Sequence, residues 1–254
     1  MSPILPTIVS ILIGASLVSG SAHAALQGRD LNGSVGSFEA YYDTVLNITW
    51  LADANYGANT ILAYGNGLMN WDDANTWTAA LNFYDAVHSI TYNNWRLPTV
   101  YPVGASFNES HSTDGSTDFG TNISSPNSEM AYMFYVNLGN PGNFTPAGAL
   151  SGCYVDSSNT CLDNVGPFRN IQPDAYWSGS GYAQDTDLAW LFSMSDGYQL
   201  WGSKSAGLHA WAVSDGDIGI ATVPEASTWA MLLAGLGLVS VTTRRRRMGN
   251  SASL

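Results

Sequence analysis

Apolar and polar positions change rhythm several times along the chain. Ile4 to Val18 is an apolar stretch, followed by Ala22-His23-Ala24. That small-x-small pattern predicts a signal peptide over residues 1–24, cleaved between Ala24 and Ala25. Phe38 to Leu51 mixes aromatics with Val and Ile and predicts extended structure with turns around Asp43 and Asn47. Trp71 to Tyr84 predicts a helix capped by Asn70, with Asp73 three residues on and Ala74, Trp77, Leu81 and Tyr84 on one face. Gly104 to Ser125 is rich in Ser, Thr, Gly and Asp and predicts a long surface loop. A second helix is predicted over Pro126 to Leu138, capped by Ser125, ended by Gly139 and striped with Met130, Met133, Phe134 and Leu138.

The last third of the body alternates. Leu188, Trp190 and Phe192 are separated by smaller residues, Asp196-Gly197 predicts a turn, and Tyr198 to Trp201 returns as a partner strand. Ala210 to Val213 reads as a closing strand, and Asp215-Gly216-Asp217 as the domain's end. The order is strand, helix, helix, then several strands with large loops. It predicts an α+β fold with two main helices and a C-terminal antiparallel sheet, not an alternating β-α-β one.

A different pattern closes the chain. Val223-Pro224-Glu225 precedes an apolar run from Trp229 to Val241, and Arg244, Arg245, Arg246 and Arg247 follow. As a helix, Ala226 to Thr243 spans about 27 Å, enough for a bilayer core. The arginines oppose translocation and leave the preceding chain on the far side of the membrane. The expected organisation is a body over residues 25–223, a sorting segment with a transmembrane helix over 224–247, and a short tail over 248–254.

Charge narrows the function. The body holds four basic residues, Arg29, Arg96, Arg169 and Lys204, and nineteen of the twenty acidic ones, so its formal charge is 4 − 19 = −15. Such a surface repels nucleic acid and sulfated or uronic polysaccharides. Cys153 and Cys161 are the only cysteines; in an exported chain they predict a disulfide, worth about 2.5 kcal/mol for so short a loop. His88, His111 and His209 show no metal-ligand spacing of the H-E-x-x-H kind, and no G-x-S-x-G elbow is present. No cofactor is indicated, with calcium as the candidate ion. Asp185 with Asp187, or Asp215 with Asp217, has the spacing of oxygen-ligand loops.

The tripartite tail resembles the PEP-CTERM sorting signal, with Ala226 where that family usually has proline. The resemblance implies recognition by an exosortase, a membrane cysteine transpeptidase, cleavage near Pro224-Glu225, and only transient residence of the C-terminal helix in the inner membrane. A plain C-terminal anchor is the alternative. A second resemblance rests on Asn94-Trp95-Arg96-Leu97-Pro98-Thr99, preceded by Asn47-Ile48-Thr49-Trp50-Leu51 and Met69-Asn70-Trp71-Asp72-Asp73-Ala74. Tyr176-Trp177-Ser178-Gly179-Ser180, Ala189-Trp190-Leu191-Phe192, Gly197-Tyr198-Gln199 and Ala210-Trp211-Ala212-Val213 follow it. This succession resembles the C-terminal domain of the Legionella collagen-like adhesin, the DUF1566 type, from about Asp43 to Asp217. It implies C-type lectin-like or formylglycine-generating-enzyme-like character and a role in adhesion or glycan binding. The adhesin's anionic glycosaminoglycan partners do not suit a body this acidic.

Read from the residues, Trp50, Trp95, Trp177, Trp190 and Trp211 are core aromatics and Arg96 is a partly buried ion-pair partner. Tyr56, Tyr64, Tyr101 and Trp201, expected on loops, are the candidate glycan contacts. The leading expectation is a non-catalytic surface or matrix module that binds carbohydrate and associates with exopolysaccharide or biofilm. The alternatives are a purely structural matrix component and a secreted enzyme on a formylglycine-generating-enzyme-like fold.

Overall fold

A computed structural model of the protein describes residues 26–34, 37–153 and 159–219. The expected signal-peptide junction at Ala24 and Ala25, the Val223-Pro224-Glu225 motif, the apolar run and Arg244 to Arg247 lie outside the described residues. No helix among the described residues is long and apolar enough to cross a membrane.

The architecture is mostly β. Strands β1 (Leu26–Arg29), β2 (Ala40–Asp43) and β3 (Ile48–Leu51) form an antiparallel meander. A 3-10 turn at Tyr56–Asn59 leads to α1 (Trp71–Ala80). Then come β4 (Phe83–Asp85) and β5 (Ile90–Tyr92), a separate hairpin, and β6 (Trp95–Arg96). β7 (His111–Ser112) and β8 (Phe119–Gly120) are short. α2 (Glu129–Tyr132) runs into a π-helical turn at Met133–Asn137. β9 (Ala175–Gly181), β10 (Leu188–Ser193), β11 (Tyr198–Ser203) and β12 (Val213–Asp215) complete the series. The first sheet has the order β1-β2-β3-β12-β6 and the second β7-β8-β11-β10-β9.

α1 begins as its sequence predicts. The Asn70 side chain accepts the Asp73 N–H at 2.9 Å and its amide donates back to the Asp73 carboxylate at 2.7 Å. The helix stops at Ala80, however, short of Leu81 and Tyr84. Phe83-Tyr84-Asp85 pairs instead with Ile90-Thr91-Tyr92, where aromatic and β-branched side chains suit a ladder, and Tyr84 faces solvent. The second predicted helix is also shorter. Ser128, not Ser125, is its N-cap, and Pro126 lies in the turn before it. The backbone there is committed elsewhere: Tyr101 N–H donates to the Asn127 carbonyl and Glu129 N–H to the Thr99 carbonyl. The apolar stripe of Met130, Met133, Phe134 and Leu138 is buried as expected, and Gly139 ends the helix at φ +69°.

Three further expectations change. The long loop contributes β7 and β8 to the second sheet, organised by buried Asp118, whose carboxylate accepts the Val103 and Asn108 N–H groups at 2.6 and 2.7 Å. The closing strand begins at Val213, because residues 208–212 cross from one sheet to the other. Trp201 lies inside β11 rather than on a loop.

Trp50, Trp95, Trp177, Trp190 and Trp211 are all buried. Three indole N–H groups find backbone carbonyls: Trp177 on Met69, Trp211 on Leu51 and Trp95 on Tyr92. Trp211 packs edge-on against Trp50 and Phe168, with ring centres 4.8 and 4.9 Å apart. Cys153 and Cys161 form the disulfide, with Cα atoms 4.8 Å apart.

Arg96 ties three elements together. Its guanidinium grips the Glu129 carboxylate with two bonds of 2.8 Å and donates to Asp215 from Nε at 3.0 Å. Glu129 is buried and also accepts the Thr99 N–H at 2.7 Å. Arg96→Ala leaves that carboxylate uncompensated and is expected to destabilise the domain by about 3 kcal/mol. Arg96→Met with Glu129→Gln should recover part of the loss. Urea denaturation of the three proteins checks both statements.

Candidate functional site

Two adjoining depressions share Asn55 and Ala58 and together form a groove at the junction of the two sheets. One, of about 540 Å³, is lined by Asn55, Ala58, Asn66, Leu68, Gln172, Pro173, Asp174 and His209. The other, of about 470 Å³, is lined by Asp53, Asn55, Tyr56, Ala58, Thr60 and Asn170. Amides, carboxylates, one imidazole and one phenol supply the polar surface.

Local turns aim these groups. Asp53 forms an Asx turn by accepting the Asn55 N–H at 3.0 Å, and its other oxygen accepts the Asn170 amide at 2.9 Å. Asn66 and Asn170 adopt positive φ of 55° and 57°, which asparagine tolerates better than most residues. Asn55 donates its amide to the Asn66 carbonyl at 3.1 Å. The segment of Asn170 is held by backbone bonds from Arg169 N–H to Ala52 and from Ala54 N–H to Arg169.

His209 is the buried member, only 4% exposed. Its ring lies over Tyr176 at 5.2 Å, its Nδ1 is 3.3 Å from the Asn55 carbonyl oxygen, and its Nε2 is 4.0 Å from an Asp174 oxygen. Burial pushes the imidazole below its ordinary value near 6.5, and the Asp174 carboxylate only partly offsets this.

The sequence-predicted contacts fall in different places. Tyr56 lines the groove, 46% exposed, with its ring against Phe83 at 5.6 Å. Tyr64 is exposed and pairs through its backbone with Leu68, a groove residue. Tyr101 is exposed but borders another depression, with Arg96, Glu129 and Asp215. Trp201 is half-buried, stacked on Tyr182 at 4.6 Å and touching Phe119 and Trp190. The Tyr182 hydroxyl donates to Glu109, which pushes it up to about 12. Trp201 therefore spends its faces on neighbouring rings, unlike the open loop side chain its sequence position suggested.

The aspartates proposed for calcium are dispersed. Asp215 and Asp217 are engaged by Arg96 and Arg29 respectively. Asp185 accepts the Asp187 N–H at 2.9 Å, and Asp187 borders a basin with Asp72, Asp73 and Lys204. Lys204 sits over the Trp71 ring at 4.2 Å. Among the described residues no group of three or more His, Cys, Asp or Glu side chains is placed to hold a metal ion. Asn55, Asn66, Asn170, Gln172, Asp174 and His209 were not anticipated as a group. The available signals were Asn66-Gly67, a turn dipeptide, and a lone histidine in the apolar run before Trp211.

Residues 39–214 match the family model of the Lcl C-terminal domain, and residues 222–247 match that of the PEP-CTERM protein-sorting motif. The first match covers more than two thirds of the 254 residues, and the chain belongs to the Lcl C-terminal domain family. The second makes it an exported substrate of an exosortase, carried across the inner membrane to the cell surface or the extracellular space. No curated protein and no solved structure matched the chain.

Two outcomes are expected. In a host with an exosortase, intact-mass measurement of the surface-released protein should show a chain that lacks Arg244 to Arg247; a mass that includes them contradicts processing. For His209, the unfolded chain takes up a proton near the ordinary value while the folded state resists. Stability is then fully present above about pH 6.5 and declines as pH falls through that value toward the lower folded one. Melting curves between neutral and mildly acidic pH should show this decline, and His209→Gln should lessen it.

Proposed function

We propose that the domain is a non-catalytic carbohydrate-binding module of the cell surface or extracellular matrix, and that the groove around Asn55 is its contact surface. The observation that carries this reading is the concentration of four amides, Asn55, Asn66, Asn170 and Gln172, beside a half-open tyrosine ring at Tyr56. Amides offer donors and acceptors together, which suits hydroxyls that do the same. An aromatic face supplies apolar contact with the C–H side of a sugar ring. The carboxylate of Asp53 is held by Asn55 and Asn170, an arrangement that orients a binding surface.

The family supports the same direction. Adhesion is the role the Lcl name suggests, and a C-type lectin-like or formylglycine-generating-enzyme-like character is what the family resemblance implies. Export to the surface brings the groove into contact with exopolysaccharide, and association with a biofilm matrix follows from that reading. The ligand is not a sulfated or uronic chain. A body of charge −15 and a groove with two carboxylates both oppose one.

Titration calorimetry with a neutral matrix polysaccharide and with heparin tests this. Weak binding to the neutral polymer and none to heparin are expected. Tyr56→Ala and Asn55→Ala should each weaken binding about fivefold or more with the melting temperature largely kept, whereas Tyr101→Ala should change little. Tight heparin binding would overturn the charge argument. Absence of binding to any glycan would favour a purely structural matrix role.

A further inference from the structure

The groove has a feature that general sugar binding does not require. His209 is buried, yet one of its ring nitrogens has no hydrogen-bond partner among the described residues. The amide orientation of Asn55 settles which one. Asn55 commits its N–H to the Asn66 carbonyl, so its own carbonyl oxygen faces His209 Nδ1. Nδ1 therefore carries the proton and donates to Asn55. Nε2 is left as a lone-pair acceptor beside the Asp174 carboxylate, 4.0 Å away.

Two acceptors thus stand side by side with no donor between them. Asp174 uses one carboxylate oxygen on the Ala175 N–H and leaves the other toward His209. A single ammonium group, with bonds of about 2.9 Å, can bridge acceptors at this separation. A hydroxyl has one proton and can satisfy only one of them. Charge selects in the same direction. The groove is lined by Asp53 and Asp174, and neither lysine nor arginine is among its lining residues. Arg169 is on an adjoining segment but is not one of them.

We infer that the groove prefers glycans bearing free amino groups, with the amine seated between His209 Nε2 and Asp174. This rests on the carbohydrate-binding reading above and narrows it to a chemical class, a partly or fully deacetylated amino-sugar polymer. Asp53, in the adjoining half of the groove, offers a second carboxylate for a neighbouring amine along the same chain.

The test compares glucosamine hexamer with N-acetylglucosamine hexamer on the exported protein by titration calorimetry near neutral pH. The free-amine hexamer is expected to bind about fivefold tighter, the size of one partly exposed ion pair. Asp174→Asn keeps the bond to the Ala175 N–H and should abolish the preference, bringing the two hexamers to equal affinity. Asp187→Asn removes the same charge from another depression and should leave the preference intact. Equal or tighter binding of the acetylated hexamer overturns this inference but leaves the carbohydrate-binding reading standing. A preference that survives in Asp174→Asn, or that Asp187→Asn also removes, overturns the assignment to this site. Failure of both hexamers and of the neutral polysaccharide overturns the broader reading with it.

Discussion

The structure depends on one crossing. Between β11 and β12 the chain leaves the second sheet and enters the first, and residues 208–212 make the passage. Each step is tied down. Leu208 pairs with Met69, His209 with Tyr176 and Trp177, and Ala212 accepts the Leu51 N–H. Trp211, at the centre, donates to the Leu51 carbonyl at 2.7 Å and packs against Trp50, Phe168 and Tyr176. These rings come from both sheets and from the long connection before β9. Removing the indole would leave a cavity where those layers meet, a loss of the order of 3–5 kcal/mol in comparable cores.

The groove is a by-product of that passage. A segment passing between two sheets cannot lie flush with both, and its flank is filled by turns rather than strands. The turn after β3 brings Asp53, Asn55 and Tyr56, the connection before β9 brings Asn170, Gln172 and Asp174, and the crossing itself supplies His209. Turns need short polar side chains to bond their own backbone, so asparagine and aspartate accumulate there for structural reasons. The same residues then face outward with donors and acceptors to spare. Structure and recognition share one composition at this place, and for that reason composition alone could not separate them.

Much of the fold was legible beforehand. The hairpin of β2 and β3, the cap on α1, the hairpin at Asp196-Gly197, the disulfide and the buried tryptophans all follow from local pattern. The errors fell where distant chain competes for the backbone. Residues 126–128 had the look of a helix start, but the Asn127 carbonyl accepts the Tyr101 N–H and its side-chain amide donates to the Pro102 carbonyl. Tyr84 fitted a helical face, yet its neighbours pair as a hairpin. Asp118 appeared as one polar residue in a polar loop and is instead the buried anchor of that loop. The groove was legible only at Tyr56, because its members come together from four separate segments and none carries a motif on its own.

The position of β12 has a consequence for how such a protein crosses a membrane. This strand is the last among the described residues but lies between β3 and β6, bonded to both. Until Val213 to Asp215 have emerged, the first sheet is two separate pieces, and Arg96 lacks its partner Asp215. Val223, at the start of the sorting motif, follows only eight positions after Asp215, the end of that strand. The topology thus withholds completion of the first sheet until almost the whole body has been threaded through.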